Sequence, residues 1–192
     1  MRIDAYTHFF PAKYFQALMD SKVPDIGKRV AGVPAIHDLE TRRRVVGSFP
    51  DYKQILSVAL PPIGTWTPAD KAEEVARIAN DGLKELCDKY PDQFAGFVAE
   101  VPLTAPDAGA RESERAIKEL GACGVQIVTN VNGKPLDRPE FEPFFARMTA
   151  IGCTAGFSFH HTRRDDNAFS TRSKRQSGRS AARRSQQDNR AS

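Results

Sequence analysis

Histidine side chains stand at the ends of two separate apolar segments of this chain. His8 lies near the end of the segment 3–9, and His160 and His161 follow the segment 153–159. In a parallel α/β fold the carboxyl ends of the strands meet at one edge, so these positions converge. Neutral imidazole is the commonest metal ligand in proteins. The pattern predicts a metal site formed by His8 and by His160 or His161, although His8 taken alone also suits a hydrogen-bonded structural histidine.

Other polar and aromatic side chains fall near the predicted strand ends. Tyr6 precedes His8 by two residues and therefore lies on the same face of its strand. Glu100 is interpreted as a candidate catalytic base, and Trp66 and Asn130 as candidate substrate-binding residues. Each of these three also has a structural interpretation, as a rim carboxylate, a packing side chain over a loop and a turn residue respectively.

Apolar strands alternate with amphipathic helices over the first 160 residues. We predict strands at 3–9, 55–60, 94–103, 124–130 and 153–159, and helices at 12–20, 37–49, 107–120 and 139–151. A further long helix is expected to open at Thr67, as N-cap, and Pro68. Its apolar residues recur on one face.

Strands that are apolar on both faces and separated by helices indicate a parallel sheet with right-handed crossovers. The predicted fold class is therefore α/β. Five strands suit either a doubly wound sheet or the first five strand–helix units of an incomplete (β/α)8 TIM barrel, because a complete barrel needs eight strands and about 250 residues.

Two stretches of the chain carry a family resemblance. Asp4-Ala-Tyr-Thr-His8-Phe-Phe-Pro11 resembles the first-strand signature of the amidohydrolase superfamily, Asp-x-His-x-His-x-x-Pro. More narrowly, it is similar to the branch related to aminocarboxymuconate semialdehyde decarboxylase. The stretch from Gly124 to Gly133, continued by Pro135-Leu-Asp and Pro139-Glu-Phe, is similar to the fourth strand and following helix of that branch. The resemblance covers roughly residues 1–161.

The resemblance implies a (β/α)8 barrel with a divalent metal, often zinc. His8 matches the second first-strand histidine, Tyr6 stands in place of the usual first one, and His160 (or His161) matches the ligand on strand five. An aspartate on strand eight completes the family's site, and a chain confined to five strands would lack it. The implied chemistry is loss of CO2 from a small carboxylic acid, or hydrolysis by a metal-bound hydroxide. The resemblance leaves open whether a chain without the complete site is active.

The C-terminal segment 163–192 has a different composition from the rest. It contains no Val, Ile, Leu or Met and carries a net charge of +6, whereas the whole chain carries +4. We interpret residues 1–162 as a partial barrel and residues 163–192 as a disordered basic tail, with a composition typical of a region read out of frame. The alternative is a non-catalytic α/β module whose tail binds nucleic acid, although the tail has no RGG or RS repeat.

Composition excludes several classes of protein. No apolar run approaches the ~20 residues needed to cross a bilayer, and Arg2 and Asp4 interrupt the first apolar stretch. We therefore expect a cytoplasmic protein that acts on a small carboxylic acid, without a membrane partner. A partial barrel leaves open sheet edges, so we also expect self-association into a homo-oligomer.

Overall fold

The computed structural model describes residues 1–21, 23, 25–59, 61–153 and 155–158. Five strands lie side by side in one parallel sheet, in an order that follows the chain. They are β1 (Arg2–His8), β2 (Tyr52–Ser57), β3 (Phe94–Glu100), β4 (Gly124–Val128) and β7 (Ala155–Ser158). A short antiparallel ribbon, β5 (Asn130–Val131) and β6 (Lys134–Pro135), follows β4. The five parallel strands and their order confirm the predicted α/β fold as half of a barrel.

Helices connect the strands, and all except the short helix Ile26–Ala31 correspond to predicted helices. They are α1 (Ala12–Asp20), α2 (Ile26–Ala31), α3 (Leu39–Gly47), α4 (Ala72–Lys89), α5 (Pro106–Lys118) and α6 (Glu142–Ala150). Three 3₁₀ turns, Pro34–Ile36, Ile63–Thr65 and Pro139–Phe141, lie between them. None of the helices in the described ranges is long and apolar enough to cross a membrane. The described residues form one compact unit, and the basic tail, 163–192, lies outside them.

Two predicted helix starts differ from the structure. The helix expected from residue 37 begins at Leu39, because the Asp38 side chain accepts hydrogen bonds from the backbone N–H groups of Glu40 and Thr41 and so caps it. The prediction that Thr67 caps the long helix is wrong. α4 begins at Ala72, and Pro68 opens a turn closed by the N–H of Lys71.

The core lies between the helices and the outer face of the sheet. Leu56 on β2, Phe97 on β3 and Val125 on β4 are fully buried and point toward the helices. α4 contributes buried alanines and Leu83 on the face that its apolar periodicity marks. The small alanines let α4 approach the sheet closely, so its packing fixes where the ends of the neighbouring strands lie.

Gly82 on α4 offers a test of this close packing. A Cβ atom added there would lie 2.5 Å from Cβ of Pro11, the rigid residue before α1. We expect Gly82→Ala to lower the free energy of unfolding by about 1–2 kcal/mol, since overpacking outweighs the gain of about 1 kcal/mol in helix propensity. At Gly27 on α2 the added Cβ would lie 3.4 Å from the flexible end of Met19. Gly27→Ala should therefore leave the free energy of unfolding unchanged or raise it. Urea unfolding of both variants measures these two changes.

Strand β1 lies at one edge of the described sheet, since β2 is its single neighbour among the described strands. Residues 1–5 are exposed, including the apolar Met1 and Ile3. An open, partly apolar edge is a template for pairing with another chain. Self-association through this edge stays a prediction, and sedimentation of Ile3→Lys against the unaltered chain tests it.

Candidate functional site

Four polar side chains share the inner face of the sheet near the carboxyl ends of the strands. His8 is paired with Ser57 across β1 and β2, and Glu100 with Gln126 across β3 and β4. Continuing the register from the Leu56–Phe97 pair places Ser57 beside Val98, two residues before Glu100. Because side chains alternate along a strand and paired residues project to the same face, all four side chains lie on the face opposite to Leu56, Phe97 and Val125.

His8 is held by its neighbour on β2. Its Nδ1 atom lies 2.9 Å from Ser57 Oγ, and Ser57 Oγ donates to the carbonyl oxygen of Thr7 at 3.3 Å. The Ser57 hydroxyl therefore holds one edge of the imidazole ring and fixes its orientation at the end of β1.

The surroundings of His8 favour its neutral form. Burial lowers the pKa of His8, a hydrogen bond to the Val58 backbone partly offsets this, and the charge of Arg42 lowers the pKa further. Arg42 on α3 is itself half-buried, and its Nε donates to Gln54 Oε1 at 2.8 Å. The chemistry of a neutral, oriented imidazole fits a metal ligand.

Glu100 is a buried carboxyl at the end of β3, with 5% of its surface exposed. Gln126 Nε2 donates to its Oε2 at 3.0 Å, and the backbone N–H of Ile63 donates to the carboxyl as well. Burial raises the pKa of Glu100 to about 8, although these two hydrogen bonds act in the opposite direction. Glu100 therefore carries a proton at neutral pH, and it can act as an acid.

Two aromatic side chains, Tyr14 and Trp66, pack against each other near this cluster. The rings of Tyr14 on α1 and Trp66 meet edge to face at 5.8 Å. Burial, followed by the charge of Glu100, raises the pKa of Tyr14 well above its ordinary value. The Trp66 side chain partly offsets this rise by hydrogen bonding to Tyr14, so the two buried polar atoms, Tyr14 Oη and Trp66 Nε1, lie close to each other.

The other predicted site residues are not all brought to this cluster. Asn130 begins β5, beyond the end of β4, and its Oδ1 accepts from the N–H of Gly133 across the turn. The turn itself lies at Asn132 and Gly133, which both have positive φ. A substrate contact by Asn130 stays a prediction.

The remaining predicted metal ligands lie outside what the structure describes. These are His160, His161 and the side chain of Tyr6, so their placement stays a prediction. Among the described residues, no group of three metal-ligating side chains converges. The assignment of His8 as a metal ligand therefore stays a prediction.

Sequence reasoning missed Ser57, Gln126 and Tyr14. Ser57 and Gln126 each interrupt an apolar strand, and a polar residue at an inward position of such a strand is a usable signal. Tyr14 gave no such signal, because its helical spacing with Leu18 fits an ordinary core residue.

This fold places a histidine and a buried acid on the inner face of half a (β/α)8 barrel, and comparison with known proteins agrees. An amidohydrolase family profile matches residues 3–170. The chain belongs to the amidohydrolase family.

Relatives with assigned activities are decarboxylases. The chain is 34% identical over 152 residues to gamma-resorcylate decarboxylase of Rhodococcus jostii, covering 74% of this chain and 42% of that protein. It is 33% identical over 99 residues to 2-amino-3-carboxymuconate-6-semialdehyde decarboxylase of Dictyostelium discoideum, covering 52% of this chain and 27% of that protein. These relatives confirm the decarboxylase branch that the first-strand stretch indicates. The chain spans less than half the length of these two relatives.

One solved structure resembles this chain in fold and contains a divalent metal. It is 5-carboxyvanillate decarboxylase of Novosphingobium aromaticivorans, complexed with manganese and 4-hydroxy-3-methoxy-5-nitrobenzoic acid. The TM-score is 0.66 at 26% identity, and the match covers 81% of this chain and 49% of that one. The bound metal in that relative is manganese, whereas the sequence resemblance favoured zinc.

Proposed function

We propose that this chain carries the N-terminal half of the site of a metal-dependent decarboxylase that acts on a small aromatic carboxylic acid. The observation that carries the proposal is the pair of His8 and Glu100 on one inner face of the sheet, in a chain related to decarboxylases of such acids. Hydrolysis, the other reaction that the sequence resemblance implied, has no support from these relatives.

His8 would hold the metal through its imidazole ring, with His160 or His161 and Tyr6 as the further predicted ligands. A bound divalent cation, manganese or zinc, would supply a positive charge that polarises a carboxylate or a neighbouring hydroxyl of the substrate. The imidazole of His8 is already oriented for this by Ser57, so little reorganisation is needed on binding.

Glu100 would supply the proton. In decarboxylation the bond between the ring carbon and the carboxylate carbon breaks, CO2 leaves, and the electron pair stays on the ring carbon. A proton must then form the new C–H bond. Glu100 is protonated near neutral pH and can donate that proton, and the carboxylate that remains regains a proton from water. Tyr14 and Trp66 would lie beside the aromatic ring of the bound substrate.

The test is metal-dependent release of CO2 from γ-resorcylate by the full 192-residue chain. The chain is stripped with chelator and reloaded with Mn²⁺ or Zn²⁺, and metal content and CO2 are both measured. We expect the chain to bind the metal, and we expect CO2 to be released only by the loaded chain. A chain that binds neither ion, or CO2 release that continues in the stripped chain, would overturn the proposal.

Ser57→Ala is expected to weaken metal binding by about 10–100-fold, because the partner that orients a metal-ligating histidine typically contributes that much. Ser113→Ala is the matched control. Ser113 is equally buried and its hydroxyl donates to the carbonyl of Gly109 on α5, away from the site. Calorimetric titration with Mn²⁺ compares the two, and equal affinities would show that Ser57 does not orient the ligand.

A further inference from the structure

The end of strand β3 is held by a side chain from a helix instead of by a neighbouring strand. The β2–β3 register would place Ala59 beside Glu100, but β2 ends at Ser57. The backbone groups of Glu100 on that side therefore lose their strand neighbour, and buried backbone groups need partners. Asn80 of α4 takes the place of the strand: the N–H of Glu100 donates to Asn80 Oδ1 at 2.8 Å, and Asn80 Nδ2 donates to the Glu100 carbonyl at 3.0 Å.

The amide of Asn80 is fixed in turn by Glu112 of α5. Asn80 Nδ2 donates a second hydrogen bond to Glu112 Oε1 at 2.8 Å. Both side chains are fully buried. This contact determines which end of the Asn80 amide carries the nitrogen, because a carboxylate oxygen can only accept from it. The orientation that satisfies Glu112 is the one that satisfies both backbone groups of Glu100.

Glu112 is itself held by a guanidinium fork. Arg115 donates through Nε to Oε2 and through Nη2 to Oε1, both at 2.8 Å. Arg115 also pairs with the exposed Asp81 at 2.8 Å, and these contacts raise the pKa of Arg115. A continuous chain of bonds therefore runs from Arg115 on α5 through Glu112 and Asn80 to the backbone of Glu100.

We infer that Asn80 and Glu112 are positioning residues, which hold the end of β3 so that the Glu100 carboxyl stays on the inner face and out of water. The groups that face this carboxyl are Tyr14 from α1, Gln126 from β4 and the Ile63 N–H from the turn after β2. None of them restrains the Glu100 backbone as Asn80 does. The importance of this positioning for catalysis rests on the proposed function, but the positioning itself can be measured without an activity assay.

The test is Glu112→Gln in the full chain, with Glu114→Gln as the matched control. Glu114 lies on the same helix and also has two cationic partners, Lys118 and Arg147, but it is not bonded to Asn80. Side-chain carboxyl ¹³C shifts are followed with pH, and the Glu100 signal is assigned by its loss in Glu100→Gln.

We expect Glu112→Gln to lower the pKa of Glu100 from about 8 toward its ordinary value, by about one pH unit or more as water reaches the carboxyl. Glu114→Gln should leave it unchanged. An unaltered Glu100 titration in Glu112→Gln, with or without a lower melting temperature, would overturn the inference, because it would show that Glu112 only stabilises the α4–α5 contact. Should Glu112→Gln not fold, Arg115→Lys keeps the cation but not the fork, and its result is judged in the same way.

Discussion

Glu100→Gln is expected to remove a large pH dependence of stability between about pH 5 and pH 8. Glu100 is fully buried and burial raises its pKa to about 8 from an ordinary value of 4.5. In the unfolded chain the carboxyl ionises above its ordinary pKa, whereas in the folded chain it keeps its proton up to about pH 8. The folded state therefore binds more protons in this window, and stability falls as the pH rises.

The size of the effect follows from the difference between the two pKa values. Each unit of difference corresponds to about 1.4 kcal/mol, so the full loss is on the order of 5 kcal/mol between pH 4.5 and pH 8. That is comparable with the total stability of many domains. Glutamine has nearly the shape of a protonated glutamic acid and keeps an oxygen that accepts from Gln126, so the variant should fold at pH 5.

Urea unfolding at pH values from 5 to 8.5 measures this prediction. The unaltered chain should lose stability as the pH rises toward 8, and Glu100→Gln should not show this loss. Glu114→Gln is the control, because Glu114 is only partly buried and its cationic partners lower its pKa, which moves its own titration below this window. A Glu100→Gln variant that shows the same slope as the unaltered chain would mean that Glu100 is ionised in the fold.

The features set by short-range patterns were predictable from sequence. Alternation of apolar strands with amphipathic helices gives the order of elements, and a histidine at the end of β1 lies at the site because the carboxyl ends of parallel strands meet. The start of α4 was not predictable, because Thr67 and Pro68 form a good N-cap signal that the local packing overrides. Thr67 is buried instead.

The partners of the site residues could not be predicted, because they depend on register between distant strands. Gln126 reaches Glu100 only because β3 and β4 pair with those two residues side by side. Asn80 looks like an ordinary polar residue in a helix, and its contact with the Glu100 backbone depends on β2 ending early. Such contacts arise from three-dimensional packing, and a single sequence does not record them.

His8→Ala is expected to abolish metal binding, with a loss of affinity greater than about 100-fold. Removing a ligand costs more than removing the partner that orients it, for which a loss of 10–100-fold is typical. The reason is specific to this chain: His8 is the described side chain that we propose as a metal ligand, and Ser57 orients its ring through Nδ1. Any metal ligands outside the described residues would then lack the nitrogen that His8 supplies.

His37→Ala provides the matched control for that experiment. His37 follows the Pro34–Ile36 turn, and its ring stacks on Phe15 at 4.8 Å rather than lying on the inner face of the sheet. Calorimetric titration of both variants with Mn²⁺ and with Zn²⁺ should show binding retained in His37→Ala and lost in His8→Ala for either ion. Equal loss in both variants would point to general unfolding, which circular dichroism detects. Unchanged binding in His8→Ala would mean that the metal lies elsewhere, and the decarboxylase proposal would then lose the residue on which it rests.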